Sequence, residues 1–169
     1  WECVYEHNLS VAERQAAISS LERHAKEQGI WEDHVWGDRI EDRGSQITFS
    51  ALGQLAPIAA KESWDPTNEK KNRLAEAVSA DVPDLAVRSG GSTSVDISLR
   101  GVDKAYAVRQ LATALHIDVS QMIYLGDRMD PDGNDYPAVN AGTIAIRVTG
   151  PEETLEVCGE LIRRLPVVA

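Results

Sequence analysis

The sequence predicts an α/β fold in two parts, with the division near residues 99–102. Three observations support this prediction. Before the division, amphipathic helical patterns are mixed with strands that alternate polar and apolar residues. After it, a helical pattern alternates with two continuous apolar runs, 122–125 and 143–148. That alternation is typical of a parallel, doubly wound sheet covered by helices on both faces.

The first part opens with a weakly alternating segment, 1–6, which predicts a short strand. Ser10 and Glu13 then have the spacing of a capping box, in which each side chain accepts the backbone N–H of the other residue. An amphipathic helix is therefore predicted from this point to Gly29, since glycine commonly ends a helix.

Two strand pairs and a second helix complete the first part. Strands are predicted over 38–42 and 46–51, and again over 85–88 and 93–99, with glycine in the turn of each pair. Between the pairs, Asp65-Pro66 is predicted to begin a helix, because proline suits the first helical position.

The second part contains two predicted helices and two predicted strands. The first helix carries an apolar stripe and the last covers 151–165, with proline at its start. The apolar runs 122–125 and 143–148 are expected to be strands that are buried on both faces.

Composition excludes several classes of partner. Acidic residues outnumber basic ones by 27 to 17, and the net charge is −10 at pH 7. Such a charge repels nucleic acid and anionic membranes, so neither is expected as a partner. No apolar run approaches the roughly 20 residues of a membrane helix, and no secretory signal pattern is visible. Cys3 and Cys158 lack metal-ligand spacing, which favours a reducing, cytoplasmic location.

The strongest chemical signal is a pair of acidic loops after the run 122–125. Asp127 follows this run and Gly126 directly, and Asn134 and Asp135 come a few residues later. In open α/β sheets, ligands bind beyond the carboxyl ends of the strands. Oxygen ligands there suit Mg²⁺, so these three residues are candidate metal ligands. The alternative is that they only form and cap turns.

Lys104 and the polar face of a predicted sheet are further candidates. Lys104 lies in the first turn of a predicted helix, where its ammonium could neutralise a phosphate, although a solvated surface lysine has the same pattern. Alternation places Ser94 and Asp96 on the polar face, with Arg43 at its rim. The face could hold sugar hydroxyls and a phosphate; the alternative is a face that is merely solvated.

Taken together, these residues resemble the eukaryotic-type phosphomannomutases of the haloacid dehalogenase superfamily over nearly the whole chain. The Gly-Asp and Asn-Asp pairs are typical of the superfamily. Lys104 followed by Tyr106, and the motifs with Arg43 and Gly90-Gly91, are similar to phosphomannomutases in particular. The matching stretches are 40–44, 89–97, 101–106, 126–127 and 133–136.

The resemblance implies a haloacid-dehalogenase-like core with a Rossmann-type parallel sheet, incomplete in this chain, and an inserted α/β cap. Residues 1–7 would be a remnant of the core and residues 101–169 its C-terminal part. Residues 8–100 would be the cap, which recognises the substrate and closes over the active site.

The resemblance also implies roles for the candidate residues. Asp127 would bind Mg²⁺ directly, with Asn134 and Asp135 completing or ordering that site. Lys104 would balance the charge of a phosphoaspartate. The hexose phosphate would be bound from the cap by Arg43, Gly91, Ser94 and Asp96.

The activity implied is Mg²⁺-dependent phosphoryl transfer on a hexose phosphate through an aspartyl-phosphate, interconverting mannose 6-phosphate and mannose 1-phosphate. Two alternatives stay open: a sugar-phosphate phosphatase of the same superfamily, and a non-catalytic fragment or binding module. In the stretch 51–54, Gln54 stands where the corresponding family pattern ends in arginine. The loss of this basic residue weakens the case for holding a bisphosphate intermediate.

The family's nucleophile motif, Asp-x-Asp-Gly-Thr at the end of the first core strand, is absent from this chain. We therefore expect this chain alone to be inactive, with a folded cap and a core that is incomplete or filled by a partner. An uncovered strand edge tends to pair with another chain, and a homodimer is one assembly that the sequence leaves open.

Overall fold

The computed structural model describes residues 3, 5–131 and 133–164. The chain divides into two compact units, Trp1–Gly101 and Val102–Ala169. They are called the N-terminal unit and the C-terminal unit. Each has helices and a sheet of its own.

The sheet of the N-terminal unit has four antiparallel strands in the order β1-β2-β4-β3. Its alternating sequence follows the period of a strand, in which successive side chains point to opposite faces. Apolar side chains therefore collect on the face that meets the helices, and polar side chains collect on the other. The strands are β1 (Ile40–Asp42), β2 (Gln46–Ser50), β3 (Leu85–Ser89) and β4 (Ser94–Leu99).

Three helices belong to the same unit: α1 (Val11–Glu27), α2 (Ile58–Trp64) and α3 (Glu69–Asp81). The capping box predicted for α1 is confirmed. The Ser10 hydroxyl accepts the N–H of Glu13 at 3.2 Å, and the Glu13 carboxylate accepts the N–H of Ser10 at 2.7 Å. Helix α2 was missed by the sequence analysis.

The core of the N-terminal unit lies between the sheet and helices α1 and α3. Full burial of each large apolar side chain stabilises the unit by about 1.5–3 kcal/mol relative to leaving it exposed. The largest fully buried side chains are Leu21, Ile47, Phe49, Leu74, Val78, Val95 and Ile97.

The prediction that a helix begins at Asp65-Pro66 is wrong. Helix α3 begins at Glu69, and Asp65 ends α2 instead. The buried Asp65 carboxylate accepts the N–H groups of Lys70 and Lys71, at 3.2 and 3.0 Å. It therefore satisfies the first turn of α3 from a position upstream of the helix, and Pro66 lies in the intervening turn.

The C-terminal unit has a two-stranded parallel sheet, formed by β5 (Ile123–Gly126) and β6 (Ile144–Arg147). A short 3-10 helix, Val119–Gln121, leads into β5. The α-helices are α4 (Lys104–Leu115), α5 (Tyr136–Asn140) and α6 (Pro151–Arg164).

Two strand predictions need correction. The β5 and β6 strands are not buried on both faces, because Ile123 is 37% exposed and Ile144 is 52% exposed. A sheet of two strands has too few neighbours among the described residues to cover both faces. In the segment 1–6, Cys3, Tyr5 and Glu6 lie in no strand, and residues 1, 2 and 4 lie outside the described residues. Residue 165, the predicted end of the last helix, also lies outside them.

Among the described residues, no helix combines the length and apolar composition needed to cross a bilayer.

We predict that Leu74→Ala lowers the free energy of unfolding of the N-terminal unit by about 2–5 kcal/mol, because Leu74 is fully buried and the truncation leaves a cavity. Urea unfolding followed by tryptophan fluorescence reports on this unit, since every tryptophan precedes residue 65. Leu55→Ala is the matched control, because Leu55 is 78% exposed and the change should cost less than about 0.5 kcal/mol. Equal losses in the two variants would contradict the assigned core.

Candidate functional site

An open cleft lies at the carboxyl ends of β5 and β6 in the C-terminal unit. Parallel pairing sets Gly126 beside Arg147, and the N–H of Val148 donates to the Gly126 carbonyl at 3.0 Å. The segments that follow the two strands therefore leave the sheet at the same edge. The cleft has a volume of about 530 Å³ and is lined by Lys104, Tyr124, Leu125, Gly126, Asp127, Asp135, Val148, Gly150, Pro151, Thr154 and Leu155.

The Asp135 carboxylate is the centre of the hydrogen bonding in this cleft. Asp135 is only 2% exposed. One oxygen, Oδ1, accepts hydrogen bonds from the Lys104 ammonium and from the Tyr124 hydroxyl, the latter at 2.6 Å. The other oxygen, Oδ2, accepts the backbone N–H of Arg128 at 2.9 Å. The carboxylate thus joins α4, β5 and the loop after β5.

Glycines let the loop after β5 fold closely around Asp135. A Cβ at Gly126 would collide with the Asp135 carboxyl group, and a Cβ at Gly133 would overlap the Arg128 carbonyl. The loop is closed by backbone bonds from Gly133 to the Asp130 carbonyl (2.7 Å) and from Asp135 to the Arg128 carbonyl (3.0 Å). These two glycines are therefore required by close approach of the chain to itself.

Burial and hydrogen bonding act in opposite directions on the charges of this cluster. Burial alone would raise the pKa of Asp135, but the bonds from Lys104, Tyr124 and the Arg128 N–H outweigh it and hold that pKa well below its usual value. Burial alone would lower the pKa of Lys104, but its bonds to Asp135 and Tyr124 raise that pKa. Burial, helped by Asp135, raises the pKa of Tyr124. Near neutral pH, the cluster therefore holds an ammonium, a carboxylate and a neutral phenol.

The candidate metal ligands occupy different positions relative to the cleft. Asp127 lines it and is exposed, so its carboxylate is available to a hard cation. Asp135 also lines it, but both of its oxygens already accept hydrogen bonds, which fits a residue that orders the site. Asn134 is exposed in the same loop and is not among the described residues that line the cleft.

The carboxylate oxygens in this cleft fit Mg²⁺, and they would supply one part of its coordination sphere. Asp127 offers the oxygen chemistry that Mg²⁺ prefers, and Mg²⁺ commonly binds through one or two carboxylates. In residues 3, 5–131 and 133–164, no group of three or more His, Cys, Asp or Glu side chains is arranged to hold a metal ion.

The other candidate residues lie on the polar face of the sheet in the N-terminal unit. Strand register sets Asp96 opposite Thr48, and the Thr48 hydroxyl donates to Asp96 Oδ1 at 2.7 Å. A Cβ at Gly90 would collide with the side chains of both Ser94 and Asp96, so the loop before β4 packs directly against them. Arg43, at the rim, donates to Glu41 at 2.7 Å.

A buried lysine holds the glycine loop that precedes β4. The ammonium of Lys71 donates to the Gly91 carbonyl at 2.7 Å and lies 3.5 Å from the Gly90 carbonyl. Lys71 is buried on α3, and the Asp65 carboxylate accepts its backbone N–H. The side chain of Lys71, on helix α3, therefore holds the loop that carries Gly91 in place.

Sequence reasoning missed Lys71, Asp65 and Tyr124. A signal existed for Lys71, because it precedes Leu74, Ala75 and Val78 by three, four and seven positions and so shares their buried helical stripe. A signal existed for Tyr124 too, since it is the residue in the apolar run before Gly126 that has a hydrogen-bonding group.

Comparison with known families gives a match over most of the chain. The profile described as eukaryotic phosphomannomutase matches residues 34–164. The phosphomannomutase of Spinacia oleracea is 28% identical over 131 residues, covering 74% of this chain and 51% of that protein. The phosphomannomutase of Galdieria sulphuraria is 30% identical over 131 residues, covering 74% of this chain and 50% of that protein. The chain spans about half the length of the curated relatives it matches.

Solved structures agree with the fold. An IMP-bound mutant of the IMP-nucleotidase of Plasmodium falciparum matches 95% of this chain and 40% of its own, with a TM-score of 0.58 and 17% sequence identity. At that identity the likeness bears on the fold alone. It confirms the predicted class, a haloacid-dehalogenase-like α/β fold with a cap.

We predict that Asp135→Asn lowers the pKa of Lys104, because the variant removes the negative charge that favours the ammonium and leaves the burial that disfavours it. The Lys104 side chain can be followed through a pH titration by NMR. Asp118→Asn is the matched control, since Asp118 caps the 3-10 helix before β5 and should leave Lys104 unaffected. An unchanged pKa in Asp135→Asn would show that this carboxylate does not control Lys104.

Proposed function

Because the chain belongs to the eukaryotic phosphomannomutase family, we propose that it forms part of an enzyme that transfers a phosphoryl group on a hexose phosphate. The reaction proposed is the interconversion of mannose 6-phosphate and mannose 1-phosphate, with Mg²⁺ as the cofactor. The observation that carries the proposal is the cleft in which Asp127 and the Lys104–Asp135 pair lie together beyond the carboxyl end of β5.

The proposed chemistry proceeds through an aspartyl-phosphate. A phosphoryl group held on an aspartate oxygen passes to the free hydroxyl of the hexose phosphate: the aspartyl phosphorus–oxygen bond breaks, a bond to the sugar oxygen forms, and that hydroxyl loses its proton, which gives a doubly phosphorylated sugar. The phosphoryl group at the other position of this intermediate then passes to the aspartate: its bond to the sugar oxygen breaks, the aspartyl-phosphate forms again, and the released sugar oxygen takes a proton. The accepting aspartate is not assigned to any residue of this chain. Bound Mg²⁺ would neutralise charge on the transferred group.

The residues of this chain would prepare the site for an anion. Asp127 would hold the metal from the end of β5. Lys104 would place its ammonium beside the phosphoryl oxygens, since lysine acts as a point charge toward phosphate. Asp135 and Tyr124 would keep that ammonium charged and aimed into the cleft, which supplies electrostatic stabilisation without reorganisation during the reaction.

The polar face of the N-terminal unit would recognise the sugar. We assign Arg43, Gly91, Ser94 and Asp96 to the binding of the hexose phosphate. Thr48, which donates to Asp96, would keep one carboxylate oxygen directed along the sheet and leave the other for a sugar hydroxyl. Lys71 would hold the Gly91 loop in the conformation that this contact needs.

A sugar-phosphate phosphatase is the second candidate. Gln54 supports it, because a mutase must retain a doubly phosphorylated intermediate and a neutral amide contributes less to this than a cation. The Gln54 Nε2 atom is buried without a hydrogen-bond partner among the described residues. Incubation of the full-length protein with mannose 6-phosphate separates the candidates: a mutase yields mannose 1-phosphate, a phosphatase yields mannose and free phosphate, and a binding module yields neither.

A cytoplasmic location is part of the same proposal. Cys3 and Cys158 are both free thiols, as expected for a chain that works in a reducing compartment.

We predict that Asp127→Ala, in the full-length protein, abolishes Mg²⁺-dependent turnover and leaves the circular dichroism spectrum unchanged, because it removes an exposed metal ligand. Asp118→Ala is the control, as another exposed carboxylate of the same unit. Turnover in Asp127→Ala within tenfold of the parent would exclude Asp127 as a ligand.

We predict that Arg43→Ala, in the full-length protein, lowers kcat/KM for hexose phosphates. The expected loss of transition-state stabilisation is about 1.5–3 kcal/mol, the range for a hydrogen bond to a charged group. Small phosphate esters that lack a sugar should be affected much less. Arg14→Ala is the control, because Arg14 lies on α1 and pairs with Asp42. Equal losses on sugar phosphates and small esters would contradict a role in sugar recognition.

A further inference from the structure

Arg88 lies in a row of side chains that crosses the polar face of the N-terminal sheet. Strand register sets Glu41 opposite Thr48, Thr48 opposite Asp96, and Asp96 opposite Arg88. Residues directly opposite each other on antiparallel strands project from the same face. The neighbour Val87 pairs with Ile97 and packs against the core, so Arg88 points to the polar side. The row therefore ends at Arg88 on the edge strand β3.

Arg88 differs from the other arginines of its unit in having no partner among the residues that the structure describes. Within the described residues, it makes no ion pair and no side-chain hydrogen bond, and it is exposed. Every other arginine before residue 102 donates a side-chain hydrogen bond, namely Arg14, Arg23, Arg39, Arg43, Arg73 and Arg100. The whole donor set of Arg88 is thus available to a ligand, whereas the other arginines of this unit already use at least one donor.

The charges along the row are arranged unevenly. At the β1 side, Arg43 is compensated by Glu41. At the β3 side, Arg88 stands next to Asp96, whose Oδ1 already accepts the Thr48 hydroxyl. A guanidinium that makes no ion pair presents a planar set of donors that matches the oxygens of a phosphate. The β3 edge is therefore the more favourable end of the face for an anion.

The spacing of the row suits one hexose phosphate. Neighbouring strands lie about 4.8 Å apart, so Arg88, Asp96 and Thr48 span about 10 Å from the edge strand to the second inner strand. A hexose ring is of the order of one strand spacing across, and its phosphate extends the molecule by a similar length. A ring bound over Asp96 would therefore place its phosphate at Arg88.

We propose that Arg88 is a specificity-determining residue of this face and holds the phosphate of a sugar phosphate, while Asp96 accepts a hydrogen bond from a ring hydroxyl. The identity of the ligand rests on the proposed function. The placement of the anion at Arg88 rests on the strand register and on the unpartnered guanidinium. Arg88 distinguishes a phosphorylated sugar from the neutral sugar.

The test is equilibrium binding to the 169-residue chain, measured by NMR titration with mannose 6-phosphate, inorganic phosphate and mannose. In Arg88→Gln, the dissociation constant for mannose 6-phosphate should rise about ten- to hundredfold, as expected for the loss of a charge-assisted hydrogen bond. Arg88→Lys should recover part of the affinity, because it restores the charge without the planar donor set. Arg73→Gln, on helix α3 and bonded to Gln28, is the control and should bind as the parent does.

Each outcome of this titration decides one point. If the parent binds mannose 6-phosphate and Arg88→Gln binds it equally well, the Arg88 proposal is overturned and the proposed function is unaffected. Another outcome is that the parent binds inorganic phosphate as tightly as mannose 6-phosphate, with both affinities lost in Arg88→Gln. In that case Arg88 is supported as an anion site and the sugar-phosphate function is contradicted. If the parent binds neither anion saturably, the Arg88 proposal is overturned. The amide spectrum of Arg88→Gln verifies that the sheet is intact.

Discussion

The buried carboxylate of Asp135 is the interaction on which the candidate cleft depends. It accepts hydrogen bonds from a helix, a strand and a loop, through Lys104, Tyr124 and the backbone of Arg128. A buried carboxylate without such donors would cost several kcal/mol, so the three elements are constrained to meet around it. The same bonds keep Lys104 charged in the cleft. One side chain thus contributes to the packing of the three elements, to the charge of Lys104 and to the direction of the Lys104 side chain.

Local sequence patterns predicted much of the fold, and the failures have physical causes. Alternation identified β2 and β4 because their period is a property of the chain itself. The start of α3 was missed because Asp65 caps it across an intervening turn, a contact that helical spacing does not reveal. The apolar runs around Ile123 and Ile144 predicted strands correctly but not their surroundings, since burial depends on which elements are present to cover them.

The candidate site was predictable in part for the same reason. Asp127, Asp135 and Lys104 share the cleft, and a strand followed by acidic loops was enough to indicate that edge of the sheet. The row that ends at Arg88 was not predictable, because it depends on the strand order β1-β2-β4-β3 and on register. Alternation assigns a residue to a face, whereas its neighbours across the sheet come from distant parts of the chain.

The contact between Lys71 and the glycine loop has a consequence for the backbone. In a trans peptide the carbonyl and the following N–H point in opposite directions. Because the carbonyls of Gly90 and Gly91 face the ammonium, the N–H groups of Gly91 and Ser92 face away from it. Adjacent amides that point the same way carry a partial positive charge. The contact with Lys71 therefore orients two adjacent N–H groups toward the outer side of the loop, where they could donate to an acceptor, in a protein whose net charge is −10.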